Sequence, residues 1–262
     1  MGKEYKVKGI MADIYDINTF CTELLDASRY EDIALNGIQV SNDGEIKRIA
    51  FAVDAVVDTI DEAARQDCQL LITHHGIFWG KPEAIDGSHG MRVKSLIRNN
   101  MGLISYHIPL DASDICGNNI EMCRLLGLTD LQPFGRFKGS YVGYTGQTQN
   151  AVTIDDVYRI LDFDRSQQHT YLGFGKNKIR RIAVVSGGAG HDIYSAVSHG
   201  CDLFITGECS HELYHYAKES GINGLFLGHY WTETFGVKSL SNEIKKQFPD
   251  IETVFIDVPT GL

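Results

Sequence analysis

The sequence predicts an α/β protein of two similar lobes, produced by an internal duplication and packed around a shared cleft. Residues 48–73 align without a gap on residues 181–206 at a shift of 133, and nine of the 26 aligned positions are identical. Both copies show an apolar run, an amphipathic stretch and the pattern C-x-L-x-I-T, which is typical of strand, helix and strand. The following segments, 102–111 and 224–233, align at a shift of 122.

The repeat also suggests how the chain is divided. We predict one two-lobed unit over residues 1–262, with a first lobe over about 1–130 and a second over about 131–262. The repeat copies then span 48–111 and 181–233. Only about fifty residues, 131–180, separate the copies, so we expect a short strand and a helix there and no extra domain.

Composition narrows the class of protein. A chain of 262 residues with 43% hydrophobic and 22% charged residues is typical of a soluble globular protein. A net charge of −10, without a run of Lys or Arg, argues against binding to nucleic acid polymers or anionic membranes. No signal-peptide-like or membrane-length apolar run is present, so we expect a cytoplasmic protein. Six cysteines without a C-x-x-C pair predict reduced, mostly buried thiols.

Histidines and carboxylates follow several predicted strands. His74 and His75 end the apolar run LLITHH, and Gly76 allows the chain to turn there. Each half also has a strand followed by a histidine and, four residues later, a carboxylate: His107 with Asp111, and His229 with Glu233. A helical turn places residues i and i+4 on one face, and ligands bind at the carboxyl ends of parallel strands. Because burying such a cluster is costly unless it is paired, the pattern predicts a divalent metal site.

A competing metal motif lies in the second half. His211, Glu212 and His215 spell H-E-x-x-H, in which two histidines bind zinc and the glutamate is the general base of a peptidase. Glu233 follows 18 residues after His215, near the position of a third zincin ligand. However, the motif opens directly after a predicted buried strand, with Ser210 as a plausible helix N-cap, and it leaves the duplicated histidines unexplained. A zincin peptidase is therefore the weaker alternative.

Other local patterns carry less information. The glycine-rich segment 186–192, SGGAGHD, is either an anion-binding helix start or a tight turn, and it matches no dinucleotide motif. Asn118 or Asn119 is expected to cap a helix. The isolated histidines are expected at the surface or in loops; they are His89, His169 and His199.

Seven motifs in order resemble one known family along essentially the whole chain. ALNGIQV, ITHHGIFW, YHIPLDAS, GNN, VSGG, ITGE and GHYWTETFGV are similar to the Nif-three-like dinuclear metal proteins, catalogued as GTP cyclohydrolase 1 type 2 homologues. The resemblance implies two α/β lobes around a two-metal centre and a ring-shaped homohexamer. The metal ligands it implies are His74, His75, Asp111, His229 and Glu233. His107 is absent from this set, and we assign it to holding a ligating carboxylate, contacting substrate or shuttling a proton.

The chemistry implied by the resemblance is metal-dependent hydrolysis of a nucleotide or a related heterocycle. Two divalent ions bridged by Glu233 and a solvent molecule would present hydroxide at neutral pH, and the ligand types suit Zn, Mn, Fe or Ni without choosing among them. For GTP, hydroxide would open the imidazole ring of guanine and release formate, with His107 as the proton donor. Lys81, Arg92 or the SGGAG turn would hold the phosphates. A non-enzymatic metal-binding ring or scaffold protein is the alternative from another class.

Overall fold

The computed structural model describes residues 12–262 and places their strands in two sheets. The strands are β1 (Gly37–Val40), β2 (Arg48–Asp54), β3 (Leu70–His75), β4 (Gly102–Ser105), β5 (Thr129–Phe137), β6 (Ser140–Val152), β7 (Thr170–Gly173), β8 (Ile179–Val184), β9 (Leu203–Thr206), β10 (Asn223–Phe226) and β11 (Glu252–Phe255). The helices are α1 (Ile14–Leu24), α2 (Val57–Arg65), α3 (Gly87–Arg98), α4 (Ile108–Ala112), α5 (Asn118–Leu125), α6 (Ile154–Ile160), α7 (Ile193–Ser198), α8 (Leu213–Ser220), α9 (His229–Thr232) and α10 (Thr234–Gln247). Short 3₁₀ turns cover Ala27–Arg29 and Gly190–Asp192.

The first sheet has the strand order β1-β4-β3-β2-β11. Its four strands from β4 to β11 are parallel, and β1 runs antiparallel to β4. The strand β2, RIAFAVD, is apolar at successive positions because helices cover both faces of the sheet. Helices α1 and α10 pack on one face, and α2 and α3 pack on the other.

The second sheet has the order β5-β6-β8-β9-β10-β7, with a parallel centre of β8, β9 and β10. Helices α7 and α8 cover one face, while α5 and α6 cover the other. Helix α6 begins with a capping box in which the Thr153 hydroxyl and the Asp156 carboxylate satisfy each other's backbone N–H groups. The first sheet and the parallel centre of the second sheet are therefore covered on both sides, and their strand ends are the places where polar groups can gather.

The mixed α/β class predicted from the sequence is confirmed. The pairing register also matches the repeat: Ile49 lies opposite Leu70 between β2 and β3, and Ile182 lies opposite Leu203 between β8 and β9. Both pairs are related by the shift of 133 residues seen in the sequence. The last strand, β11, returns to pair with β2 in the first sheet. The lobe boundaries near residue 130 stay a prediction.

The segment between the repeat copies holds more strand than the sequence suggested. The strands β5 and β6 form a long antiparallel hairpin across Lys138 and Gly139, and α6 and β7 follow. The predicted helix is present, but the expectation of a single short strand was wrong. The hairpin was hidden because the second half of β6, with Gln147, Gln149 and Asn150, is polar and partly exposed, so it lacks a strong alternating apolar pattern.

Several smaller expectations are also settled by burial. All six cysteines are free, five are buried, and Cys209 is exposed. His89 is buried in α3, contrary to the surface position expected for it, and it packs its ring against Phe78. Within residues 12–262, no helix has both the length and the apolar character required to cross a membrane.

Candidate metal centre

The histidines and carboxylates predicted from the repeat meet where strands of the two sheets end. His74 and His75 are the last residues of β3, and His107 follows β4 and precedes α4. In the second half, His229 opens α9 after β10, and Glu233 links α9 to α10. The duplicated strand ends therefore bring both halves of the chain to one site.

The deepest histidine of this cluster is His74, which is fully buried. Its Nδ1 lies 3.1 Å from the carbonyl oxygen of Tyr106, to which it donates a hydrogen bond. Its Nε2 lies 3.5 Å from Asp111 Oδ2 and 3.5 Å from Glu233 Oε1, and it makes no hydrogen bond with any described residue. The second nitrogen thus faces two carboxylates across a gap slightly too long for direct bonding.

Glu233 is the carboxylate that connects the imidazoles of the two halves. Its Oε2 lies 3.2 Å from His75 Nε2, and its Oε1 lies 3.1 Å from His229 Nε2. His229 and Glu233 are four residues apart in the chain, and their side chains face each other, as the His-x-x-x-Glu spacing predicted. One buried carboxylate therefore reaches three imidazole rings, from His74, His75 and His229.

Three carboxylates outside the predicted set orient the remaining imidazoles. The Nδ1 of His75 lies 2.8 Å from Asp54, that of His107 lies 2.9 Å from Asp32, and that of His229 lies 2.5 Å from Glu208. Metal-binding histidines usually hold an acceptor through one ring nitrogen so that the other faces the metal. In all four histidines, Nδ1 is occupied in this way and Nε2 is the nitrogen left for the centre.

Sequence reasoning missed the role of these three orienting carboxylates. Asp54 and Glu208 carried a weak signal, because both lie at strand ends within the repeat copies 48–111 and 181–233. Asp32 carried none, since it lies 75 residues before His107. It is held by Asn36, and it also accepts a hydrogen bond from the Ile108 N–H. Burial by itself raises the pKa of Asp32, but its hydrogen bonds and the charge of His107 outweigh burial and hold that pKa below its usual range.

Asp111 is fixed by a separate network that joins the two sheets. Its Oδ1 accepts hydrogen bonds from Asn118 Nδ2 at 2.9 Å and from Ser186 Oγ at 2.8 Å, which leaves Oδ2 toward His74. Asn119 donates to Val142 O and accepts from the Ser186 N–H. The expected capping role of the asparagines was wrong, because Gly117 caps α5 and both side chains are buried.

The geometry fits a divalent metal better than a network of hydrogen bonds. Two buried atoms of the cluster, His74 Nε2 and Glu233 Oε2, have no hydrogen-bond partner within residues 12–262, which is costly unless a cation binds there. Among the described residues, three groups have ligand atoms within 4.8 Å of one another: His74, His75 and His107; His75, His229 and Glu233; and His74, Asp111 and Glu233. These buried and half-buried His, Asp and Glu side chains could therefore hold metal ions through nitrogen and oxygen.

Without a metal, protons neutralise the cluster. Burial alone lowers the pKa of His74, but the charges of Asp111 and Glu233 outweigh it and raise that pKa to about 9. Burial likewise opposes protonation of His229, whereas its contacts with Glu233 and Glu208 raise its pKa to about 10. For Glu233, burial favours the neutral acid, but the neighbouring imidazoles outweigh burial and lower its pKa. The metal-free site therefore holds protonated histidines around an ionised carboxylate at neutral pH.

We expect metal binding at pH 7 to release about two protons per chain, because His74 and His229 must become neutral to bind metal. Since both pKa values are raised, the affinity for metal should weaken as the pH falls, by about tenfold per pH unit for each proton released. Titration calorimetry at pH 7 in two buffers of different ionisation enthalpy measures the release. Equal heats in the two buffers would contradict the expectation.

The alternative H-E-x-x-H site is not assembled. His211 and Glu212 precede α8, which begins at Leu213, so the motif is not a continuous helical face. Glu212 is exposed and accepts hydrogen bonds from Ser210 and from His191 Nε2 at 2.8 Å. Among the described residues, the groups that could hold a metal include neither His211 nor His215.

An open cleft of about 310 Å³ lies above the cluster. His107, Asp111, His229 and Glu233 form part of its lining, and so does the SGGAGHD segment from Ser186 to Asp192. In that segment Gly187 has a positive φ of 65° and approaches the Glu233 carboxylate closely. The segment is therefore a tight turn against the metal cluster and also a wall of the cleft.

Fold and site together define a mixed α/β protein with a His/carboxylate cluster, suited to divalent metal, at the strand ends of two sheets. The sequence profile of the DUF34/NIF3 family (NGG1p interacting factor 3) matches residues 12–261. The chain belongs to this family, as the sequence motifs predicted.

Individual relatives agree with this assignment. The chain is 42% identical to a GTP cyclohydrolase 1 type 2 homolog of Pyrococcus abyssi, over 94% of this chain and 98% of the relative. It is 40% identical to a protein of the same name from Deinococcus radiodurans, over 92% and 91%. A crystal structure of a Thermus thermophilus protein superimposes with a TM-score of 0.86 at 33% identity, over 96% of this chain and all of the other (100%).

Proposed function

We propose that this protein binds two divalent metal ions and hydrolyses a nucleotide or a related heterocycle. One observation carries the proposal: four imidazoles are each held through Nδ1 by an outer acceptor, with Nε2 left for a common centre. Such preorganisation is expected of a metal site, because outer partners set both the tautomer and the ring orientation. His169 and His199 also hold a backbone carbonyl through Nδ1, but neither belongs to the groups of described residues able to hold a metal.

The proposed ligands are His74, His75, Asp111, His229 and Glu233. Glu233 belongs to two of the three groups of described residues able to hold a metal, and this membership supports a bridging role. Cysteine does not occur in these groups of described residues, which favours Zn, Mn, Fe or Ni, since these metals accept imidazole and carboxylate ligands. Bound metal would supply Lewis acidity and lower the pKa of a water molecule toward neutrality.

We assign His107 to proton transfer beside the metals. Asp32 accepts a hydrogen bond from its Nδ1, which orients the ring and leaves Nε2 as the group that gives or takes a proton. The backbone N–H of His107 is also fixed, since it donates to Asn36 Oδ1 at 2.8 Å. His107 lines the open cleft, where a substrate would meet it.

The substrate class rests on the names of relatives. The proteins from P. abyssi and D. radiodurans are called GTP cyclohydrolase 1 type 2 homologs, which favours a purine nucleotide or a similar heterocycle. The cleft volume of about 310 Å³ is at the lower end of the range for small-molecule sites, about 300–1,000 Å³. The homohexameric ring and the cytoplasmic location stay predictions.

Elemental analysis of untagged protein, purified without chelator, tests the metal centre directly. We expect about two metal equivalents per chain in the parent and nearly none in the double variant His74→Ala/His229→Ala. The matched control, His211→Ala/His215→Ala, removes two exposed histidines and should keep the full content. Full content in the first variant would refute the ligand assignment. Nucleotide turnover by the loaded parent, absent from the first variant, is the expected readout for hydrolysis.

A further inference from the structure

Arg136 is the sole lysine or arginine among the described residues that line the cleft above the cluster, and it belongs to β5. Its guanidinium lies 4.8 Å from the ring centroid of Tyr141, which faces it across the β5–β6 hairpin. Arg136 is exposed to solvent, and over residues 12–262 it makes no ion pair or hydrogen bond with a side chain. Stacking on the ring leaves its N–H donors available to a ligand.

An unpaired arginine in this part of the structure contrasts with its surroundings. The chain has a net charge of −10, and the described lining of the same cleft includes three carboxylates: Asp111, Asp192 and Glu233. Lys138, two residues along the hairpin, pairs with Glu31 at 3.5 Å. Lys81 and Arg92, the cations proposed from the sequence, are not among the described residues that line the cleft. Arg136 is thus the side chain best placed for an anion.

The wall beside Arg136 is largely apolar, although the Asp192 carboxylate lies close to the neighbouring Gly135. Ile108, Phe137, Val142 and Val185 line this wall, and the Phe137 ring lies edge-on to His107 with centroids 6.5 Å apart. An apolar wall between a cation and the proposed proton donor suits a ligand with both a flat ring and an anionic group. A guanidinium binds phosphate through two parallel hydrogen bonds, which a point charge cannot do.

We propose that Arg136 binds the phosphate of a phosphomonoester whose ring packs beside Phe137, so that Arg136 selects phosphorylated over unphosphorylated ligands. This inference rests on the proposed function and narrows its substrate class. Arg136 acts in recognition, away from the metal ligands, so its loss should weaken binding without releasing metal. The sequence carried no signal for Arg136 or Phe137, because the β5–β6 hairpin that carries them was not recognised from the sequence.

The test compares GMP with guanosine as probes of the metal-loaded protein, by titration calorimetry. We expect the parent to bind GMP at least about tenfold more tightly than guanosine, and Arg136→Met to remove most of that difference while guanosine binding is unchanged. Lys138→Met is the matched control on the same hairpin and should preserve the difference. Inorganic phosphate, as a third probe, should bind more weakly than GMP.

The inference would be overturned if Arg136→Met kept the parent's preference for GMP, or if it lost GMP and guanosine binding equally. It would also be overturned if the parent bound neither probe. Metal content, measured on the same samples, separates this inference from the proposed function. A metal-free parent would refute the metal centre, whereas a loaded parent with no role for Arg136 would refute the anion site alone.

Discussion

Glu233→Gln is expected to remove nearly all bound metal, with a loss of affinity greater than about 100-fold. Glutamine keeps the size of the side chain but replaces one carboxylate oxygen with an NH₂ group, which cannot donate electrons to a metal. Glu233 contacts His74, His75 and His229, so both ends of the site depend on it. Loss of a supporting hydrogen-bond partner alone costs about 10–100-fold, and a bridging ligand should cost more.

The control for this variant is Glu212→Gln, which changes the exposed glutamate of the H-E-x-x-H motif. It should leave metal content and affinity at the parent's level. Metal content by elemental analysis and affinity by competition with a chelator measure both variants. Retention of one equivalent in Glu233→Gln would limit Glu233 to a single metal. Retention of both, or loss in Glu212→Gln, would contradict the proposed ligand set.

Gly187→Ala is expected to lower metal affinity by at least about tenfold and to destabilise the fold by about 1–3 kcal/mol. A Cβ at position 187 would lie 2.3 Å from Glu233 Oε1 and 3.3 Å from His229 Nε2. The side chain would thus collide with a proposed bridging carboxylate. Its backbone, with φ at 65°, also favours glycine.

Gly188→Ala is a matched control in the next position. A Cβ there would approach no described atom more closely than 3.6 Å, at Glu208 Oε2, and Gly188 is not among the described glycines with positive φ. Thermal unfolding of the metal-free proteins isolates the strain, and chelator competition isolates the effect on metal. If Gly187→Ala loses stability yet binds metal as the parent does, the turn does not shape the metal site.

Much of this site could be predicted because the signal repeats in the sequence. His74 and His75 stand at the end of an apolar strand, and the spacing of His229 and Glu233 marks a helical turn. Such local patterns depend on residues close together in the chain, so they can be read without a structure. The duplication then predicted that the strand ends of both halves meet, and the geometry brings these residues together as expected.

Other features depended on contacts between distant residues. Asp32 reaches His107 across 75 residues, and Asp54 reaches His75 across 21, with no spacing rule to connect them. The H-E-x-x-H motif has the correct spacing but was misleading. Its two histidines would share a helix face only if the whole motif were helical, and α8 begins two residues after the first of them. The hairpin that carries Arg136 was missed because its polar strand lacks alternation.

The sequence by itself determined the α/β class, the repeat, the family and the set of histidines and carboxylates placed at strand ends. These features follow from short-range periodicity and from spacing within one turn or strand. Only the tertiary structure decided which acceptor holds each imidazole, which cation faces the cleft and which metal motif is assembled. The physical reason is that strand order and helix packing bring residues together regardless of their separation in the chain, and hydrogen bonds form where those surfaces meet.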